Sequence, residues 1–203
     1  MLLVESSRML RKILSLGSNC NFIEAYDNVL TDDECSWMIQ EFARRETTPG
    51  ICYSEGKPTS TGGKKSIDVV NPMFNDGTKT SKILHTKLSD CLWKYREKYP
   101  SLRETGHWGI DNAYNLQKYE HDDDGFNTWH CEHGPHPIAW NRIMAWMFYL
   151  NDAKGTDFRY FSTVKAKKGR CVIWPAFWTH THRSQSNKGL KYLATGWISY
   201  KCK

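Results

Sequence analysis

The order of apolar and polar positions divides the chain into two parts with different periods. In TDDECSWMIQEFARRE (31–46), Cys35, Met38, Ile39 and Phe42 recur at helical spacing, and Thr31 with Glu34 forms a capping box that starts the helix. A second helical pattern covers 78–98, with Ile83, Leu84, Leu88, Cys91, Leu92 and Tyr95 on one face and Pro100 just past its end. Ahead of the first helix, FIEAYDNV (22–29) reads as a strand. Residues 48–65 are rich in Gly, Thr, Ser and Lys and read as a long loop. A loop of that length inside a domain is more often functional than idle, which makes it a candidate lid. From residue 110 the period shortens. NAYNLQKY (112–119), RIMAWMFYLN (142–151), TDFRYF (156–161), RCVIWP (170–175) and KYLATGWISY (191–200) are β-prone runs separated by turn residues. Helices followed by many strands predict an α+β fold with an antiparallel sandwich or barrel at the C-terminal end.

Composition adds limits. The 203 residues fit a single domain, read as 21–203, preceded by an N-terminal leader or helix at 1–20. In that leader Arg8, Arg11 and Lys12 interrupt the apolar stretch and spoil a secretory signal. Nowhere do 18 apolar residues run together, so no membrane span is expected. The net charge of +6 comes from scattered lysines, which reads as a solvated surface and not as a nucleic-acid footprint. Seven cysteines, an odd number without CxxC spacing, argue against a disulfide framework and a thiolate zinc site. Reduced thiols and a cytoplasmic location are the expectation. Nine Trp, ten Tyr and eight Phe concentrate in the second half and suggest a dense β core or an aromatic-walled pocket.

Candidate chemistry lies among the histidines. A redox-active iron(II) site needs two neutral imidazoles and one carboxylate on one face, with the opposite positions open. Residues i and i+2 of a strand point the same way, so His130 and Glu132 in WHCE offer such a pair. The third ligand would come from THTHR, as His182 or His180. His121 and Asp123 are a second pair with the same spacing. Taken alone, any of these is more simply a satisfied histidine. His133 and His136 in HGPHP read as loop residues near the mouth of a site, and neither Cys131 nor Cys171 has an evident base beside it for nucleophilic catalysis.

The wider context decides more. YEHDDDGFNTWHCE, RIMAWMFYLND, KGTDF, KKGRCVIWPAFWTHTHR and KGLKYLATGWI together resemble the prolyl 4-hydroxylase-like branch of the iron(II)/2-oxoglutarate dioxygenases, as does the FIEAYDNVLTDDEC opening. The resemblance implies a double-stranded β-helix, or jelly roll, of antiparallel strands with flanking N-terminal helices. It implies Fe(II) held by His130, Glu132 and His182, with Glu where the family usually has Asp. It places Lys191 and Tyr149 at the distal carboxylate of 2-oxoglutarate, with Tyr119, Thr195 and Trp197 around the co-substrate pocket. Spacing within the family phrase favours His130 over His121, and His182 over His180. The implied reaction consumes O2 and 2-oxoglutarate, with ascorbate as reductant, and releases succinate and CO2. The implied substrate is a peptidyl proline on a peptide or protein partner. A free amino acid or small molecule is the alternative, and a non-catalytic β-sandwich binding module is the alternative from another class.

Overall fold

The computed structural model describes residues 20–54, 57–59, 63–186 and 188–201, so the expected leader at 1–20 lies almost wholly outside the described residues. The first helix, α1, spans Asp32–Phe42 and starts at the expected capping box. Thr31 Oγ1 accepts from the Glu34 amide at 3.1 Å, and Glu34 Oε2 accepts from the Thr31 amide at 2.8 Å. It ends four residues before the sequence pattern does. The Arg44 and Arg45 amides tighten onto Glu41 and Phe42, and the Glu46 carbonyl accepts from Val70, drawing the chain into a sheet. The second helix, α2, spans Lys79–Lys98 and buries Leu84, Leu88, Cys91, Leu92 and Tyr95. Pro100 then opens a short 3-10 turn, Pro100–Arg103.

The strands are β1 (Glu24–Tyr26), β2 (Thr47–Pro49), β3 (Cys52–Ser54), β4 (Lys57–Thr59), β5 (Lys64–Lys65), β6 (Ile67–Val69), β7 (Trp108–Tyr119), β8 (Gly125–Phe126), β9 (Arg142–Tyr149), β10 (Ala153–Phe158), β11 (Phe161–Ala166), β12 (Cys171–Pro175), β13 (His182–Ser184) and β14 (Lys191–Tyr200). A seven-stranded sheet runs β1-β12-β9-β14-β7-β6-β2, and a three-stranded sheet runs β11-β10-β13. Every pairing is antiparallel.

Burial on both faces explains why the strands of the larger sheet read as nearly unbroken apolar runs. On β9, Met144, Trp146 and Phe148 join the core against α1 and α2, whereas Ala145, Met147 and Tyr149 face the smaller sheet. On β12, Cys171 and Ile173 take the helix side, and Val172 and Trp174 take the other. Helices, large sheet and small sheet therefore form three layers with a core in each gap. This is the expected antiparallel jelly-roll architecture with flanking helices.

Three sequence expectations change. The strand at 22–29 shortens to Glu24–Tyr26, because Phe22 and Asn28 each adopt a φ of 55°. TDFRYF does not form one strand: β10 ends at Phe158 and β11 begins at Phe161, so the turn falls inside the apolar run. Residues 48–65 are not a plain loop, since they carry β3 and β4 as a hairpin and β5 paired with β8. Gly169 is fixed by its surroundings. Its φ is +78°, an added Cβ would lie 2.3 Å from the Leu30 carbonyl oxygen, and its own carbonyl accepts from Val29 and Leu30. No helix among the described residues is long and apolar enough to cross a membrane.

Candidate active site

His130, Glu132 and His182 converge. Among the described residues they form the one group of three or more potential metal-ligating side chains, with one ligand atom from each lying within 4.8 Å of the others. His182 opens β13, while His130 and Glu132 lie in the connection between β8 and β9, outside any regular strand. The expected strand geometry for the pair is thus replaced by a pinned loop. His130 exchanges two backbone hydrogen bonds with His182, at 3.0 and 2.8 Å, and the Glu132 amide donates to the Ala176 carbonyl at 3.0 Å.

The hydrogen bonds fix which nitrogens face inward. His130 Nδ1 lies 2.8 Å from the Thr128 carbonyl and His182 Nδ1 lies 3.0 Å from the His180 carbonyl. A carbonyl only accepts, so each Nδ1 carries the proton and each Nε2 presents a lone pair. Both Nε2 atoms face Glu132 Oε1, at 3.7 Å from His130 and 3.5 Å from His182. Glu132 Oε2 is held from behind by Trp197 Nε1 at 2.7 Å and by the Arg142 guanidinium at 3.5 Å. One carboxylate oxygen is thereby left for the centre. Burial would raise the Glu132 carboxyl, but the polar surroundings supplied by the His182 and His130 rings and the Arg142 guanidinium outweigh it and hold the group below the usual carboxylate range. Burial, with the neighbouring His182, pushes His130 down to about 4, keeping it neutral at neutral pH.

Aromatic walls complete the centre. Phe126 stacks on His130 with ring centroids 3.6 Å apart, Trp174 sets its edge against His182 at 5.1 Å, and Phe158 lies 5.7 Å from the same ring. Arg142 stacks on Trp197 at 3.5 Å. Arg142, Phe126, Phe158 and Trp174 escape a motif reading because each reaches the site by register alone. Only the aromatic density of the β-prone runs, such as Trp174 in RCVIWP, hinted at them.

The other expected residues are distributed as follows. Lys191, at the start of β14, is 1% exposed, and its Nζ donates to Ser184 Oγ at 3.1 Å, two residues beyond His182 on β13. Its Nζ also lies 5.6 Å from the Tyr119 ring and 5.7 Å from the Tyr149 ring. Among the described residues no carboxylate pairs with it, and burial pushes its pKa down to about 8. Tyr149 shares a 2.7 Å hydrogen bond with Thr156, and Tyr119 donates to Gln117 at 3.1 Å. Thr195 lines the cavity, but its hydroxyl donates to the Trp146 carbonyl at 2.7 Å and so is already engaged.

The competing histidines fall away. His180 does not point with His182: its Nε2 turns to the Asn21 carbonyl at 2.8 Å and its Nδ1 to Thr179 at 2.9 Å, and only its backbone carbonyl serves the centre. His121 and Asp123 are exposed on a turn where Asp123 has a φ of 67° and Asp124 accepts the Glu120 and His121 amides. His133 stacks on Phe177 at 4.3 Å and lines the cavity mouth together with His136.

A cavity of about 1010 Å³ is lined by His130 and Glu132. Its walls include Ala113, Asn115 and Gln117 of β7, Trp197 of β14, and the Gly134–Ala139 segment, with Ile51 at the far rim.

The donor set suits a divalent first-row metal with open positions, because it offers two neutral imidazoles and one carboxylate oxygen. The buried, carboxylate-free ammonium of Lys191 suits a dicarboxylate co-substrate. Residues 114–199 match the 2OG-Fe(II) oxygenase superfamily. No curated protein matches the chain by sequence. Solved structures do match in fold. A prolyl-4-hydroxylase from Pseudomonas putida superposes with a TM-score of 0.65 at 13% identity, covering 90% of this chain and 95% of that one. A prolyl hydroxylase from Trichoplax adhaerens, in complex with a hypoxia-inducible-factor oxygen-degradation-domain peptide, gives 0.65 at 12% identity over 98% and 93%. The viral collagen prolyl hydroxylase of Paramecium bursaria Chlorella virus-1, in complex with 2OG, gives 0.59 at 13% identity over 90% and 98%. The matched segment and the donor set make the chain a 2-oxoglutarate-dependent dioxygenase. Its fold is that of the prolyl hydroxylases.

One consequence concerns Trp197. Trp197→Phe keeps the wall but removes the 2.7 Å donor to Glu132. Mn(II) affinity is expected to fall by about 10-fold, the lower end of the range for losing an outer partner of a ligand. Calorimetry on the two proteins measures it, and an unchanged Kd would remove Trp197 from the support of the carboxylate.

Proposed function

We propose that this dioxygenase hydroxylates a peptidyl proline, with Fe(II) held by His130, Glu132 and His182. In this reading Lys191 fixes the far carboxylate of 2-oxoglutarate, Tyr149 and Tyr119 wall it, and ascorbate serves as reductant. The single catalytic domain is taken as residues 21–203. The observation that supports a peptide over a free amino acid is the cavity of about 1010 Å³ lined by His130 and Glu132. That size lies at the top of the roughly 300–1,000 Å³ range for drug-sized ligands, leaving room for several residues of extended chain. The prolyl hydroxylase fold of the solved relatives adds an analogy for the target residue.

When bound, iron and 2-oxoglutarate supply oxidative decarboxylation to succinate and CO2 coupled to hydroxylation of the substrate. The chain's own residues perform the remaining tasks. Trp197 and Arg142 hold Glu132 Oε2 so that Oε1 faces the imidazoles. The Thr128 and His180 carbonyls hold the Nδ1 protons, which keeps both Nε2 atoms unprotonated. Phe126, Phe158 and Trp174 exclude water around the histidines. The described cysteines are all free thiols, in keeping with a reducing, cytoplasmic setting.

The test is succinate release with Fe(II), ascorbate and a panel of proline-containing peptides, run beside free L-proline. Turnover stimulated by a peptide, with hydroxyproline found by mass spectrometry, is the expected result. Stimulation by free proline alone would overturn the peptide reading while leaving the dioxygenase standing.

A further inference from the structure

We propose that Trp129, with Arg159 and Arg183 packed against its ring, is a positioning residue that holds His130 and His182 at the separation a metal requires. The inference rests on the reading of those histidines as ligands.

The need arises from the local backbone. His130 and His182 belong to distant parts of the chain and meet only through an isolated antiparallel bridge, with hydrogen bonds of 3.0 and 2.8 Å. Two backbone hydrogen bonds at the end of a three-residue strand resist shear poorly, and fraying concentrates at such ends. A metal site tolerates only about 0.5 Å of slack in its ligands.

The outer face of the bridge supplies the missing restraint. In an antiparallel pair centred on His130 and His182, the next residues to face each other are Trp129 and Arg183. Alternation turns both away from the triad. The Arg183 guanidinium lies 4.5 Å from the Trp129 ring, and the Arg159 guanidinium lies 5.0 Å from the same ring. Both arginines are tied to the β10–β13 pair, whose second strand carries His182. Arg183 pairs with Asp157 at 3.6 Å, and Asp157 and Phe158 stand opposite Arg183 and His182 in the β10–β13 register. The Arg159 amide donates to the Thr181 carbonyl at 2.8 Å, one residue before His182. A single indole thus ties the segment of the first histidine to two points around the second. Cation–π contacts suit this task, because the indole π-system attracts a guanidinium placed over it within about 6 Å.

Mn(II) calorimetry on wild type, Trp129→Ala, Trp129→Phe and Arg159→Met tests the proposal. Trp129→Ala is expected to raise the Mn(II) Kd by about 10-fold or more. Trp129→Phe, which keeps a ring for the guanidinium groups, is expected to recover most of that loss, and Arg159→Met to lie between. With Co(II), the d–d absorption of Trp129→Ala should shift and weaken relative to wild type, a change that general destabilisation of a folded protein would not produce. Should the alanine variant not fold, the Arg159→Met and Trp129→Phe pair carries the same comparison. Wild-type binding with affinities within twofold in every folded variant would overturn the clamp alone. Wild type that binds neither Mn(II) nor Co(II) would overturn the ligand reading and the clamp with it.

Discussion

His182→Ala is expected to abolish metal binding and succinate release, whereas His180→Ala keeps both. The two histidines are two residues apart, but only His182 presents a free Nε2 lone pair to Glu132, at 3.5 Å. Its loss leaves only two donors, His130 and Glu132, and the affinity should fall well beyond the roughly 10–100-fold that an outer partner costs. His180 serves the centre through its backbone carbonyl, which accepts from His182 Nδ1 at 3.0 Å and survives substitution by alanine. Its ring instead ties residue 180 to the Asn21 carbonyl, so its removal should lower stability by about 1 kcal/mol. Mn(II) calorimetry and thermal unfolding on both variants separate the cases. Metal binding lost in His180→Ala and kept in His182→Ala would reverse the assignment. Substitution of His121 or Asp123, on their exposed turn, should change neither measurement.

What the sequence made legible follows the range of the interactions involved. Helix α2 and its buried face were readable because the helical period is local, and Leu84, Leu88, Cys91, Leu92 and Tyr95 are buried where the spacing puts them. The central strands were readable as runs, because residues such as Trp146 and Phe148 must be apolar whichever face they occupy. Their ends were not. TDFRYF has no glycine or proline at Arg159–Tyr160 to announce a turn, so the break depends on β10 and β11 pairing with each other. Short strands such as β5, β8 and β13 carry too few residues for any period and exist only because a partner fixes them. At the site, the order of His130, Glu132, His182 and Lys191 along the chain was enough to nominate them. The spacing also suggested a strand for the first pair, which the structure replaces by a loop pinned to Ala176 and His182. Arg142 and Phe126 were invisible because their roles depend on a cation–π stack and a ring stack with no sequence pattern behind them.

Lys191→Met is expected to do two opposite things: remove 2-oxoglutarate binding and make the unliganded protein more stable. Lys191 is 1% exposed, and among the described residues its ammonium has a serine hydroxyl but no carboxylate for a partner. Burial alone pushes its pKa from 10.5 down to about 8. At neutral pH, holding the group charged in that place therefore costs about 3 kcal/mol. A methionine of similar length removes the cost and keeps the packing. With roughly 2–4 °C per kcal/mol for a domain of this size, the unliganded variant should melt several degrees higher. The wild type should recover the difference only when 2-oxoglutarate supplies the missing anion, so ligand-induced stabilisation should be large in wild type and absent in the variant. The pH dependence follows with a definite sign. The unfolded chain holds the lysine proton up to about pH 10.5 and the folded chain only to about 8, so the unliganded wild type gains stability from this group as pH rises through that interval. Affinity for the dicarboxylate moves the other way, steady below about pH 8 and weakening by about tenfold per unit above it, because the ammonium is the form that binds. Calorimetric titration of 2-oxoglutarate with Mn(II) present, at pH 7 and 9, together with thermal melts of both proteins, measures all of this. A variant that binds 2-oxoglutarate within twofold of wild type would take Lys191 out of the co-substrate site. A variant that melts lower without ligand would mean that Lys191 contributes more through packing than its buried charge costs.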